Sequence, residues 1–386
     1  MDDVLLHKVE CNDQPLDVDF HPNQAVLATG VIDGKLLLHS CARNSVSVQH
    51  TIKAHDHAHP CRAVRFSLSG DLVFTGSTDK SILAVDVATG KASARKRDAH
   101  TAPITRLLGV SETITASGDE DGGVSLWDSR QSDAIAVLEP HSDYVSDFYY
   151  HAPENALLSV SGDGTLNLID LRTKKIKETS EGDADDELLS VVVVKGGRKI
   201  VCGTTSGVLD IWSWGYWNDC SDRFPGHPDS VTSIVKYDED SVLTASSDGI
   251  IRVLNIQPNK MVGVLGEHGE FDIERLAASS DMQMLASASH DNTVKIWDLS
   301  ILVDDDEEIE NEKEEEEAGK TRSVEKEEEE KEDKESSDED GDSDDSDAGG
   351  KKRKKKQKKK KKKRGEHRIQ KKQTQQIGNN FFADIL

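Results

Sequence analysis

The residue types of a nucleophile-activating triad return at fixed intervals along this chain. A hydroxyl column reads Thr29, Thr75, Ser117, Ser159, Thr244 and Ser287, with Cys202 in the equivalent place. Four residues later stand Asp33, Asp79, Asp121, Asp163, Ser206, Asp248 and Asp291. Four histidines, His100, His141, His227 and His268, precede their columns at a similar distance. One such set could carry acyl transfer, the imidazole taking the hydroxyl proton and the carboxylate orienting the ring. A set repeated along the whole chain cannot be a single active site. Buried hydroxyl, imidazole and carboxylate groups can instead satisfy one another locally and so specify a fold. No catalytic residue is expected.

Two other clusters invite chemistry. His55, His57 and His59 alternate, and on a strand three imidazoles spaced in that way could converge on a metal. The stretch falls in the longest spacer of the chain, so a solvated loop is the expected reading and no metal is assigned. Trp212-Ser213-Trp214-Gly215-Tyr216-Trp217 is the densest aromatic cluster. Trp214, Tyr216 and Trp217 are open to two readings, a contact surface or local packing. No phosphate-cradling glycine loop precedes a helix, and no cofactor is expected.

The elements that must position these columns follow from the period. The turn positions are separated by 46, 42, 42, 43, 42 and 43 residues. Six residues after each comes another slot: His39, Val85, Trp127, Ile169, Trp212, Leu254 and Trp297. Thr293-Val294-Lys295-Ile296-Trp297 alternates cleanly and is β-branched, and a tight turn separates it from Gln283–Ala288. The Leu126-Trp127-Asp128 and Ile296-Trp297-Asp298 signatures resemble the WD-repeat family, whose unit is a four-stranded blade of ~40–45 residues. The resemblance implies an all-β fold, a seven-bladed β-propeller, with a His–Ser/Thr–Asp–Trp network in each blade. Blade 3 would use His100, Ser117, Asp121 and Trp127; blade 7 would use His268, Ser287, Asp291 and Trp297. Val85, Ile169 and Leu254 cannot donate a hydrogen bond, so their blades should lean on apolar packing. The last blade has little room for an outer strand, and Val4–Val9 is expected to supply it.

Charge divides the chain differently. The net charge is −25. Residues 1–303 carry −19, Asp304–Gly349 −20, and residues 350–386 +14. The first part can bury a core. The second is read as a disordered acidic linker and the third as a disordered basic tail, because one-sign runs bury too little apolar surface to offset chain entropy. The basic arm comprises Lys351, Lys352, Arg353, Lys354, Lys355, Lys356, Lys358, Lys359, Lys360, Lys361, Lys362, Lys363 and Arg364. It reads as an address for import receptors to the nucleus and nucleolus, as an RNA-phosphate grip, or as both. The ring, at −19, should repel nucleic acid. Ser336, Ser337, Ser343 and Ser346 sit among acids as candidate phosphosites. Phe381-Phe382-Ala383-Asp384-Ile385-Leu386 is a short apolar end that could dock. Five unpaired-looking cysteines and the absence of a long apolar run fit an intracellular protein with no membrane partner.

Asp33-Gly34-Lys35-Leu36, Ser221-Asp222-Arg223-Phe224 and Asn255–Gly263 are similar to one branch of the WD-repeat family, the WD repeat-containing protein 55 group. That resemblance implies a non-enzymatic nuclear and nucleolar scaffold in ribosomal RNA maturation and ribosome assembly, with pre-ribosomal factors as protein partners. A second expectation comes from Trp127, Asp128 and Arg130, which resemble the Trp-Asp-x-Arg box of substrate receptors for cullin-type ubiquitin ligases; Ile169-Asp170-Leu171-Arg172 is a weaker version. That box implies a ligase adaptor as partner.

Overall fold

The computed structural model describes residues 4–182 and 185–302; the acidic and basic segments, the candidate phosphosites and the Phe381–Leu386 end lie outside the described residues. The described residues form seven four-stranded antiparallel sheets. Blade 1 runs Pro15–Phe20, Val26–Val31, Lys35–Ala42 and Ser45–Lys53. Blades 2 to 6 repeat that order, each built from four consecutive strands. Blade 7 takes three strands from Ile273–Ala278, Met284–Ser289 and Thr293–Asp298, and its fourth, Leu5–Glu10, from the start of the chain. His7 pairs with Ile296 and Val9 with Val294 in that closing ladder. The first strand of each blade packs on that of the next, and blade 7 returns to blade 1, so the ring is closed.

Burial explains the strand sequences. The second strands Val26–Val31, Ala156–Ser161 and Met284–Ser289 are buried at every position, because a neighbouring blade covers each face. These strands are apolar or small throughout instead of alternating. The outer strand Lys175–Thr179 is exposed at every position and carries three charges, which blunts a free sheet edge. The core is not one mass. Seven apolar clusters each lie between two adjacent blades. In blades 2 to 7 the residue six after the turn packs toward the preceding blade: Val85, Trp127, Ile169, Trp212, Leu254 and Trp297 occur in six successive interfaces. Full burial of such a side chain is worth about 1.5–3 kcal/mol. Val, Ile and Leu therefore keep the packing role of the tryptophan and drop only its N–H.

A register shift recurs near the start of every first strand, as between Pro15 and Asp17 or Val145 and Asp147. The extra residue turns polar groups toward the next blade. Thr105 Oγ1 donates to Val145 O at 2.6 Å, and Asp17 Oδ2 accepts from Val64 N at 2.8 Å. Asp147 accepts from Val191 N, and Ser233 Oγ from Leu276 N. Hydrogen bonds thus cross the interfaces that the apolar clusters fill.

Candidate functional site

The repeated polar columns converge as hydrogen-bonded networks in blades 2, 3, 4, 6 and 7. In blade 7 the Trp297 indole N–H donates to Ser287 Oγ at 2.8 Å. The Ser287 hydroxyl meets His268 Nε2 at 2.7 Å, and His268 Nδ1 meets Asp291 Oδ2 at 2.9 Å. Partner chemistry fixes the protons: the serine oxygen receives the indole proton and gives its own to Nε2, so Nδ1 carries hydrogen toward the carboxylate. Asp291 then receives the Thr293 backbone N–H and hydroxyl at 2.9 and 2.6 Å. Ser287 is fully buried and His268 is 3% exposed, so no substrate carbonyl can approach the hydroxyl. Burial lowers the His268 pKa from 6.5 to about 4, although Asp291 works the other way. The ring is held neutral, as its acceptor role at Nε2 requires.

Blade 3 builds the same chain with one substitution. Trp127 Nε1 donates to Ser117 Oγ at 2.7 Å, and His100 Nε2 lies 2.6 Å from that oxygen. The carboxylate on His100 Nδ1 is Asp119, at 2.7 Å, and not the expected Asp121, which is exposed. The reason lies in the turn. Blades 2, 4 and 7 carry a hydroxyl two residues after the aspartate (Ser81, Thr165, Thr293), and it donates to that carboxylate. Blade 3 has Gly123 there. A Cβ on Gly123 would lie 2.7 Å from Asp119 Oδ2, so the glycine makes room for a carboxylate arriving from two residues earlier. Asp119 also accepts the Asp121 and Gly123 backbone N–H groups. Burial pushes its pKa up, yet the His100 and backbone hydrogen bonds win and hold it below the usual carboxylate value.

His55 corrects a second expectation. It is not part of a solvated loop but the network histidine of blade 2, buried, with Nε2 2.9 Å from Thr75 Oγ1 and Nδ1 2.9 Å from Asp79 Oδ2. His57 is exposed and His59 faces Thr78, so the three rings do not converge. Among the described residues no group of three or more His, Cys, Asp or Glu is placed to hold a metal. Blade 4 links His141 to Ser159 and Thr165. Blade 6 keeps His227 on Thr244 at 2.8 Å, while Asp248 turns to Arg252. In blade 5 Cys202 replaces the hydroxyl, and the Trp212 indole N–H is buried with no hydrogen-bond partner among the described residues; in blade 1 Thr29 Oγ1 and His39 Nδ1 are likewise buried without one. Cys41 is also buried, and burial pushes its thiol up to about 11, which disfavours the nucleophilic thiolate.

The aromatic cluster divides. Trp217 is buried, and Trp214 stacks on His151 at 4.2 Å while its N–H donates to Glu154 of blade 4. Those two rings fasten blade 5 to blade 4. Tyr216 is left 76% exposed. At the Trp127-Asp128-Ser129-Arg130 corner, Arg130 Nε donates to the buried Asp128 at 2.8 Å, and the rest of its side chain stays exposed.

The columns do not announce a charged belt around the ring axis. Arg275 of blade 7 reaches Asp147 of blade 4 and lies 3.7 Å from Asp17 of blade 1, which also pairs with Arg65 of blade 2 at 2.7 Å. Arg106 of blade 3 donates Nε to Ser146 O at 2.6 Å. Asp17, Arg106, Asp147 and Arg275 all occupy the register-shift position of their first strands. The signal in the sequence is a charge at the third position of each of these first strands. Nearby, a pocket of about 500 Å³ is lined by Arg62, Thr105, Glu120, Asp121, Asp143 and Tyr144.

Seven four-stranded blades closed into a ring, five of them pinned by an indole, hydroxyl, imidazole and carboxylate or a degenerate form of that set, define a WD-repeat β-propeller. Its sequence matches the WDR55 family model over residues 6–302. WD repeat-containing protein 55 of Arabidopsis thaliana is 42% identical over 288 residues, covering 74% of this chain and 81% of that protein. The human WD repeat-containing protein 55 is 36% identical over 290 residues, 74% and 76% of the two chains. WD repeat-containing protein JIP5 of Cryptococcus neoformans is 36% identical over 303 residues, 76% and 81%. The chain belongs to the WD repeat-containing protein 55 family.

Proposed function

We propose that this chain is a non-enzymatic nuclear and nucleolar scaffold in ribosome assembly, supporting ribosomal RNA maturation. Family membership supports the reading, and the observation that carries it is the division of charge. Residues 1–303 hold −19 and residues 350–386 hold +14. An acidic ring repels RNA, whereas a basic arm attracts RNA phosphates and import receptors. Protein partners such as pre-ribosomal factors would dock on the propeller, and the arm would concentrate it near RNA. The triad-like groups are consumed in buried networks, which leaves them no part in chemistry. Tagged full-length chain should concentrate in nucleoli, and deletion of residues 350–386 should abolish that enrichment. Unchanged enrichment after deletion would sink the proposed division of labour.

The exposed Arg130 on Asp128 favours a second reading, a substrate receptor docking on a cullin-ligase adaptor. Arg130→Ala should then lose the adaptor in a pull-down. Equal recovery by both forms removes that reading.

A further inference from the structure

The charged belt does not balance locally. Arg65 is answered by Asp17, Arg275 by Asp147, and Glu274 by His290 at 3.1 Å. Arg106 has no carboxylate within ion-pair distance among the described residues; its recorded hydrogen bond is the Nε donation to Ser146 O. Arg275 Nη2 holds Asp147, the next residue along, so the two guanidinium groups converge on one dipeptide of blade 4. Arg275 is also over nine-tenths buried, its side chain 8% exposed, and its Nη1 has no hydrogen-bond partner among the described residues. A buried charge-bearing donor left unsatisfied is destabilising, because its lost hydration is not replaced. Thr105, the residue before Arg106, lines the pocket between blades 2, 3 and 4.

We propose that Arg106 and Arg275 form a site inside the ring for one small oxyanion, a phosphate or carboxylate group, held by the terminal nitrogens of Arg106 and by Arg275 Nη1. The fork of N–H donors on a guanidinium matches two oxygens of such a group, which a compact ammonium does not. Asp17, Asp147 and Glu274 stand around the site, but each already faces an arginine or histidine, and Asp19 accepts the Phe66 backbone N–H, so the terminal nitrogens of Arg106 and Arg275 Nη1 are the donors left without an oxygen among the described residues. Residues 1–303, at −19, repel extended polyanions, so an RNA strand is not the ligand. The site is independent of the scaffold reading, which places RNA on the basic arm.

The test uses the full chain, with thermal unfolding of the propeller followed in sodium phosphate, sodium acetate and sodium chloride at equal ionic strength. Phosphate or acetate should raise Tm above chloride, and the arm that raises it more names the group. Arg106→Gln should lose the increment, and Arg106→Lys should keep only part of it. The basic arm also attracts phosphate, but the substitutions at Arg106 leave that term untouched. An equal increment in wild type and Arg106→Gln, or none in wild type with either oxyanion, overturns the site. If Arg106→Gln does not fold, Arg106→Lys decides: undiminished phosphate affinity by calorimetry overturns the site.

Discussion

Arg275 on the first strand of blade 7 and Asp147 on the first strand of blade 4 are bonded to each other across the axis of the ring. The two residues are 128 positions apart, and their pairing ties blades on opposite sides of the ring. Such a tie limits how far blades can slip against one another. It also places a buried ion pair where loss of one partner strands the other.

Arg275→Leu should therefore destabilise the propeller by about 3–5 kcal/mol in urea unfolding, because Asp147 would stay buried without its cation. Asp147→Leu alone should cost a similar amount. The double variant should recover much of the loss, since two apolar side chains leave no charge uncompensated. Additive losses in the double variant would show that the two residues do not act as a pair.

The turn of blade 3 separates two neighbouring acids. Asp119 accepts from His100 and from two backbone N–H groups, whereas Asp121 is exposed. Asp119→Ala should cost about 1–3 kcal/mol, and Asp121→Ala should stay within ~0.5 kcal/mol. Equal effects in chemical denaturation would return the network role to Asp121.

Acid should weaken the ring through its buried histidines. Burial holds His39, His227 and His268 down at about 4 from an ordinary 6.5. Below 6.5 the unfolded chain takes up protons that these folded imidazoles refuse. Stability from the three is thus whole above pH 6.5 and falls as pH drops toward 4. Urea midpoints measured from pH 7.5 to 4.5 should decline across that window, and His268→Gln should flatten the decline. A midpoint that holds steady to pH 4.5 would contradict the neutral, buried assignment.

The propeller is legible in the sequence because its chemistry is local and periodic. Each turn, hydroxyl and indole slot falls inside one unit of ~42 residues, so seven copies reinforce one another. Asp119 is illegible for the complementary reason. Counting six residues back from Trp127 lands on Asp121, and only the missing side chain of Gly123 moves the carboxylate to Asp119. His55 hides because the spacer of blade 2 is longer than the others and its neighbours His57 and His59 suggest a different grouping. The Arg275–Asp147 pair leaves only a weak trace, since it joins non-adjacent blades and no period links one partner to the other.

Two tryptophans in the same slot offer a controlled comparison of packing with hydrogen bonding. Trp297 and Trp212 are both buried, at 4% and 3% exposure, and each fills an interface with the preceding blade. Trp297 donates to Ser287, whereas the Trp212 N–H has no hydrogen-bond partner among the described residues, and Cys202 stands where the other blades carry the hydroxyl. Replacement by phenylalanine removes the same atoms at each site, so the transfer and cavity costs nearly cancel in the difference. At Trp297 the change also deletes a hydrogen bond and leaves Ser287 without its donor. At Trp212 it removes an unsatisfied buried N–H, which is a gain. Trp297→Phe should therefore cost about 1–3 kcal/mol more than Trp212→Phe. Cys202→Ser in the Trp212 background should stabilise the chain by restoring an acceptor, and should do nothing in the Trp212→Phe background. Equal costs for the two phenylalanine variants would mean that apolar packing alone holds the slot, and that the polar columns persist for some other reason.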